Sequence, residues 1–446
     1  MSEIEVHIDL EGRLYRVGTL RVQARNGRTA VSFEYYRDWL ALPAHFSLEP
    51  AMKAGAGVFT PDRGREMFTS IGDSAPDTWG RRLMQRMERR NAKKEGRAVR
   101  TLTEADYLLG VSDVSRVGAL RFRRAGEQHF QAPHAAGVPP FIQLAKLLSV
   151  TERVLRDEET DEDLLLLFAP GSSLGGARPK ASVADKDGHL AIAKFPKQDD
   201  DYNIEIWEEI TLSLADAAGI QTAAHRIEQV AGKAVFVSRR FDRTTDGKRV
   251  PFLSAMAMIG FKDGEHGSYP ELVDALRTYG SDTENDAIEL FRRMVFNILA
   301  SNVDDHMRNH GFLWAGPLGW KLSPAYDLNP VPAEVRAHVL STNITLDEAT
   351  CSIDLARQTA SDFFSLPMDR ADEIIVEVAT AVSTWREVAA RKGVKKSEID
   401  RMSSAFEHDE LRNALRLGVG RVATADVESE ADQPTAGRQQ SPCSAR

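Results

Sequence analysis

Apolar and polar residues alternate near the start of the chain and give way to a helical period further on. Val6-His7-Ile8-Asp9-Leu10 alternates, Glu11-Gly12-Arg13 reads as a turn, and Tyr15 to Leu20 resumes the alternation, so β-structure is expected over about residues 4–48. A first helix is expected from about Pro76, with Trp79, Leu83, Met84 and Met87 on one face, and Thr103 as the cap of another. Residues 117–122 read as a strand, and the Ala-, Gly-, Gln- and Pro-rich stretch that follows reads as a linker. Beyond it come a helix near 141–155 and two short strands, 181–184 and 189–196, around Asp185-Lys186-Asp187-Gly188. A helix from Ile204 is stopped by Gly219, and residues 234–238 alternate as a strand. After Pro251 the period is helical. Ile288, Phe291, Met294, Val295, Ile298 and Leu299 mark one face of a helix over 287–301. Ile374, Ile375, Val378, Val382 and Trp385 mark another over 371–391, which Gly393 ends. Between them, residues 310–314 and 320–322 read as strands joined at Gly316-Pro317-Leu318-Gly319. From about Val422 the periodicity is lost and disorder is expected.

Composition narrows the function classes. At 446 residues the chain can bury a large core in two or three domains. A net charge of −9 argues against uniform adhesion to nucleic acid or an anionic membrane, though not against a local basic patch. One such patch is Arg81, Arg82, Arg86, Arg89, Arg90, Lys93, Lys94, Arg97 and Arg100, for which a solvated helix face is the plain reading and a DNA or partner surface the sharper one. The acidic run from Asp157 to Asp163 reads as a solvated loop or helix start. Cys351 and Cys443 are the two cysteines, which excludes a disulfide framework and a cysteine metal site and suits the cytoplasm. Apolar runs fall short of the ~20 residues of a membrane span.

Chemistry concentrates in Asn302-Val303-Asp304-Asp305-His306-Met307-Arg308-Asn309 and in Tyr326-Asp327. An aspartate, four intervening residues and an asparagine have the spacing of a phosphoryl-transfer catalytic loop. There the aspartate orients and deprotonates the acceptor hydroxyl, and the asparagine offers a hard oxygen to magnesium. Asp304 and Asn309 take these places, and the expected hairpin returns Asp327 as a second metal ligand. Upstream, Gly171 to Ala181 holds serines, glycines, Arg178 and Lys180, a composition that lets amides and cations approach a polyphosphate. The strand after it carries Ala-Ile-Ala-Lys, so Lys194 is expected to reach the phosphates, with Glu208 on the next helix as its partner. The strand ending in Arg239-Arg240-Phe241 stands where a kinase hinge meets adenine.

Five segments taken together resemble the HipA family: 172–181, 193–196, Arg240-Phe241-Asp242-Arg243, 302–309 and 323–328. Asp73-Ser74-Ala75-Pro76-Asp77, 106–109 and 117–120 resemble the family's N-terminal region, so the likeness spans about residues 4–400. HipA proteins are serine/threonine kinases that act as toxins of bacterial toxin–antitoxin modules. The resemblance implies an α+β, bilobal protein-kinase-like fold with a β-rich N-terminal subdomain (1–125), a linker (126–140), a β-rich N-lobe (141–250), an all-helical C-lobe (251–421) and a tail (422–446). It implies ATP and Mg²⁺ as cofactors, Asp304 as catalytic base, Asn309 and Asp327 as metal ligands and Lys194 on the phosphates. Ser172, Ser173, Gly175, Gly176 and Lys180 would cover the nucleotide, with Ser173 the autophosphorylated position. Arg239, Phe241, His306 and Tyr326 complete the ATP set. His306 matches a family histidine, although the residue pattern alone reads as a loop-ordering hydrogen-bond residue. Arg239 departs from the acidic residue many relatives carry. The implied partners are a protein substrate, a small helix-turn-helix antitoxin of the HipB type and, through it, operator DNA, with no membrane. A small-molecule kinase on the same fold and a non-catalytic DNA- or partner-binding module are the competing readings.

Overall fold

Alternating burial at the N-terminus builds a five-stranded antiparallel sheet. Strands β1 (Ser2–Leu10), β2 (Arg13–Arg25), β3 (Arg28–Tyr35), β4 (Val58–Phe59) and β5 (Leu120–Arg124) lie in the order β4-β3-β2-β1-β5. Ile4, Val6, Ile8, Leu20 and Phe33 are all buried beneath it. Gly18 is required where β2 passes β3, because a Cβ there would lie 2.3 Å from the Glu34 carbonyl oxygen. The computed structural model describes residues 2–25, 28–131, 138–139, 143–168, 176–262 and 264–418. The expected tail and Cys443 lie outside them.

A second sheet contains β6 (Lys180–Ala184), β7 (Leu190–Lys194), β8 (His225–Val230) and β9 (Lys233–Arg239) in the order β6-β7-β9-β8. The helix Ile204–Ala217 packs against it and ends before Gly219, whose φ of +77° suits glycine. The remaining half is helical except for a three-stranded sheet of β10 (Phe252–Ser254), β11 (Gly311–Trp314) and β12 (Trp320–Leu322). The expected β11–β12 hairpin recruits β10 because Phe252 and Leu253 pair with it and Leu253 is buried there. The single helix expected over 371–391 is two, Met368–Ser383 and Trp385–Arg391. Its break follows from hydroxyls that bond backwards, Ser383 to the Thr380 carbonyl and Thr384 to the Ala381 carbonyl at 2.7 and 2.8 Å. Among the described residues no helix is long and apolar enough to cross a membrane.

Packing does not follow a boundary near residue 125. The helix Thr78–Lys94 sends Trp79, Leu83 and Met84 into the same apolar cluster as Val183, Ala193, Phe195, Val235 and Val237 of the second sheet. The described part of the linker is also packed, with the Phe130 ring edge-on to His7 at 5.2 Å. Most of the basic run is spoken for within the chain. Arg86 meets Asp157 and Glu159 at 2.6 and 3.0 Å, Arg90 meets Glu159 and Asp161 at 3.2 and 3.3 Å, and Lys94 also meets Asp161. Arg81 forms a two-pronged pair with Glu104, and Arg97 pairs with Glu88. The basic and acidic runs, which read as separate solvated surfaces, neutralise each other across the interface between Thr78–Lys94 and the helix Asp161–Phe168.

Reversing both Arg86 and Arg90 to glutamate should therefore cost about 1–2 kcal/mol of stability in denaturant titration, as half-buried pairs do when one partner is reversed. Arg89→Glu, on the exposed side of the same helix, should leave the midpoint unchanged. An acid-sensitive contact lies at the end of the helix Thr283–Leu299, where His408 donates to the Leu299 carbonyl and stacks obliquely near His338. Burial, and then His338, push His408 down to about 4. Below about pH 6.5 the unfolded chain takes up a proton that the folded chain refuses, so stability is lost as pH falls through 6.5 toward 4. His408→Gln should flatten that part of a stability-versus-pH profile.

Candidate functional site

The helix Thr283–Leu299 delivers the 302–309 loop at its C-terminal end, and Ser301 makes the exit turn with a φ of +49°. The Asn302 side chain bridges the two halves of the site. Its amide donates to Asn297 Oδ1 and its oxygen accepts the Asn329 backbone amide, each at 3.0 Å. The β11–β12 hairpin carries the chain back so that Tyr326 and Asp327 lie against this loop, with the Tyr326 hydroxyl donating to the Arg308 carbonyl at 2.7 Å.

The adjacent aspartates have opposite surroundings. Asp305 is buried and takes the Tyr269 hydroxyl at 2.5 Å and His310 Nε2 at 2.9 Å. Burial pushes its carboxyl up, but the imidazole and hydroxyl hold it below the usual carboxylate range. Asp304 points outward, 62% exposed, with Arg336 Nη1 at 3.1 Å. Of the two carboxylates, Asp304 is the one open to solvent. Asn309 donates Nδ2 to the Asp304 carbonyl at 3.1 Å, which leaves its buried Oδ1 without a protein partner among the described residues. A buried amide oxygen with an unused lone pair is the kind of hard donor a divalent cation takes.

Lys194 is the centre of the constellation. Its ammonium donates to Glu208 Oε1 at 2.6 Å and to Asp327 Oδ1 at 2.7 Å. Burial disfavours the ammonium, but the Asp327 and Glu208 carboxylates more than offset that and raise Lys194 above its usual range. Burial likewise pushes Asp327 up, and Lys194 reverses it, leaving Asp327 held ionised. Glu208, deeper and beside two other carboxylates, is raised by burial to about 7 despite Lys194. Of the neighbouring glutamates, Glu205 pairs with Arg178 and Glu209 with His225 and Lys392, so each of the three has its own cation. Asp327 itself has a φ of +58°, a left-handed conformation that costs energy outside glycine.

Above Lys194 opens a narrow cleft lined by Ile192, Phe236, Arg239, Phe241 and Tyr326, whose last two rings lie 5.3 Å apart. The backbone amides of Arg239 and Arg240 are spent on the Ala224 and Leu190 carbonyls, so neither is available to an adenine edge. His306 faces a second, wider cleft together with Arg65, Arg81 and Arg308. Ser172, Ser173 and Gly175 lie outside the described residues. Gly176 is described, with a φ of +77°, and Lys180 lies 3.5 Å from its carbonyl oxygen. Arg178, read from the sequence as a phosphate-facing cation, is instead held by Asp200 and Glu205, at 2.7 Å each.

Several structural partners escaped the sequence reading. Arg240 and Asp242 form a fully buried ion pair, and Asp242 also accepts the Gly118 amide at 2.7 Å, so the 240–243 motif anchors the N-terminal region. Asp73 accepts from the Ser254 amide and hydroxyl, both at 2.8 Å, and lies 3.5 Å from Arg308. Their signal was the Asp73–Asp77 motif, whose chemistry depends on partners far away in sequence.

Residues 172–385 match the HipA-like C-terminal domain. The Sinorhizobium fredii protein named "Putative kinase Y4mE" is 25% identical over 181 residues, 35% of this chain and 41% of that protein. A Haemophilus influenzae protein named "Putative kinase" is 24% identical over 187 residues, 36% of this chain and 54% of that protein. The chain thus spans about half the length, or less, of these two relatives. Shewanella oneidensis MR-1 HipA, solved with HipB and its operator DNA, superposes with a TM-score of 0.61 at 18% identity. That alignment covers 93% of this chain and 96% of the other and speaks for the fold. From 172 to 385 the chain thus carries a HipA-like C-terminal domain, and its fold as a whole is shared with HipA.

Proposed function

We propose that the protein is an ATP- and Mg²⁺-dependent serine/threonine protein kinase, a HipA-type toxin that phosphorylates a cellular protein of the translation machinery. The observation that carries this reading is Lys194 held between Glu208 and Asp327, in a fold where Asp304 turns outward and Asn309 Oδ1 has no protein partner among the described residues. Bound magnesium would supply charge neutralisation on the transferring phosphates, with Asn309 and Asp327 holding it. Lys194 contributes a fixed positive charge to the phosphates, and Glu208 keeps it aimed. Asp304 orients the acceptor hydroxyl and takes its proton as the hydroxyl oxygen bonds to the γ-phosphorus. The bond from that phosphorus to the bridging oxygen breaks, and ADP leaves. Phe241 and Tyr326 offer apolar walls to the base. A HipB-like helix-turn-helix antitoxin, and through it operator DNA, is the proposed partner, supported by the assembly in which the Shewanella protein was solved. The 81–94 helix face is a poor source of those DNA contacts, because Arg81, Arg86, Arg90 and Lys94 are engaged by carboxylates of the same chain. A cytoplasmic location fits such partners.

Purified protein should transfer labelled phosphate from ATP in the presence of magnesium. Asp304→Asn and Asp327→Asn should each lower kcat by about 10²–10³-fold or more while thermal melting shows a folded protein. Near-normal turnover in either variant at saturating ATP and metal would remove this mechanism. Lys194→Ala should lose ATP affinity and turnover together, and should also melt earlier, since it leaves Glu208 and Asp327 facing each other without a cation.

Inactivation by phosphorylation of Ser173 belongs to the same proposal. A phosphate there brings roughly two negative charges next to the triphosphate's own. Incubation with ATP and magnesium, followed by mass spectrometry, should find phosphate on Ser173 and weakened ATP binding in the modified fraction. Full activity of the phosphorylated form would exclude the switch.

A further inference from the structure

Lys180 on β6 is the direct cross-strand partner of Lys194 on β7. Like charges placed opposite each other destabilise a sheet unless each is separately compensated. Lys194 has Glu208 and Asp327. Lys180, whose side chain is 2% exposed, has Asp77, with Nζ and Oδ2 2.9 Å apart. Asp77 comes from the N-terminal region, outside both strands. It caps the helix Thr78–Lys94 by accepting the Gly80 amide through Oδ1 at 2.8 Å. The next residue but one, Trp79, donates its indole N–H to the Lys180 carbonyl at 3.1 Å, so one turn of chain grips Lys180 at backbone and side chain. Burial raises the Asp77 carboxyl above its usual range, and the charge of Lys180 is the largest influence opposing that. Lys180 is also felt electrostatically by Asp327 across the cleft.

Two cross-strand lysines, with side chains 2% and 12% exposed and each counterbalanced from a different part of the chain, concentrate positive charge suited to an extended anion. We propose that Asp77 is a positioning residue for the nucleotide site, holding the Lys180 ammonium beside Lys194 so that the two cross-strand lysines together receive a polyphosphate. The inference rests on the reading of this cleft as the ATP site. It assigns to the N-terminal region a part in nucleotide affinity: the segment that caps a helix also sets the charge that meets the phosphates. Asp77 acts through Lys180 and touches no reacting atom.

The test separates charge from capping. Asparagine caps helices as well as aspartate does, so Asp77→Asn keeps the helix start and removes the counter-charge. The full chain is titrated with Mg–ATP and, as a phosphate-free probe, with adenosine. Asp77→Asn is expected to weaken ATP about tenfold, in the range of a charge-assisted contact, and to leave adenosine within about twofold. In the double variant Asp77→Asn/Lys180→Met the ATP affinity should equal that of Lys180→Met alone. Unchanged ATP affinity in Asp77→Asn, equal weakening of ATP and adenosine, or additive losses in the double variant would each overturn the proposal. If the single variant does not fold, the double variant, which buries no unpaired charge, is compared with Lys180→Met: equal affinity supports the proposal and a further loss overturns it. Failure of the wild-type chain to bind ATP at all would instead defeat the kinase reading, and this inference with it.

Discussion

One buried ammonium group holds the site in register. Glu208, buried, and Asp327, about a quarter exposed, crowd two carboxylates together, which costs several kcal/mol unless an opposite charge lies at hydrogen-bond distance, and Lys194 supplies it. Its three participants sit on a strand, a helix and a loop well separated in sequence. Bringing them within 2.7 Å constrains how the second sheet, the helix Ile204–Ala217 and the hairpin stack against one another. The left-handed backbone at Asp327 is a local cost of that arrangement, tolerated because Lys194 and Asn329 both hold the carboxylate. A spread of carboxyl affinities for protons follows from the same packing, with Asp327 kept ionised and Glu208 near neutrality.

The N-terminal sheet is joined to this centre by charges as dry as those inside it. Arg116, completely buried, donates to the carbonyls of Ser74, Leu108 and Val111, while Arg240 and Asp242 close on the same stretch from the other side. Burial pushes the Arg116 guanidinium down to about 9, with Asp113 opposing that shift and Arg249 adding to it. Groups that dry do not separate and rejoin freely, so parting the N-terminal region from the lobes would leave buried charges without partners.

What could be read from the sequence was what local spacing encodes. The interval from Asp304 to Asn309, the turn glycines around β11 and β12, and the helix following Lys194 are short-range patterns, and they brought the loop, Asp327 and Glu208 to within one site. Pairings over long separations left no such trace. The arginines at 86 and 90 and the acids at 157–161 looked like two hydrated surfaces, because nothing in either run announces the other. Lys180 was legible as a cation near a glycine-rich stretch, but its counter-charge, some hundred residues earlier, was not. The break at Thr384 was missed for a different reason: the apolar period continues through it, and only the hydroxyl bonds of Ser383 and Thr384 interrupt the backbone.

The same long-range pairing bears on how the chain comes to life on the ribosome. Asp77 is synthesised before Lys180, Asp73 before Ser254 and Arg308, and Lys194 before Asp327. Synthesis proceeds from the N-terminus, so each of these carboxylates or cations waits for a partner still to be translated. The last member of the central cluster, Asp327, emerges after the second sheet and the helix Ile204–Ala217 but before the helices from Ile353 onward. A nascent chain stalled before that point holds Lys194 with Glu208 but without the Asp327 carboxylate. The three-membered ion cluster is thereby completed in one late step of synthesis.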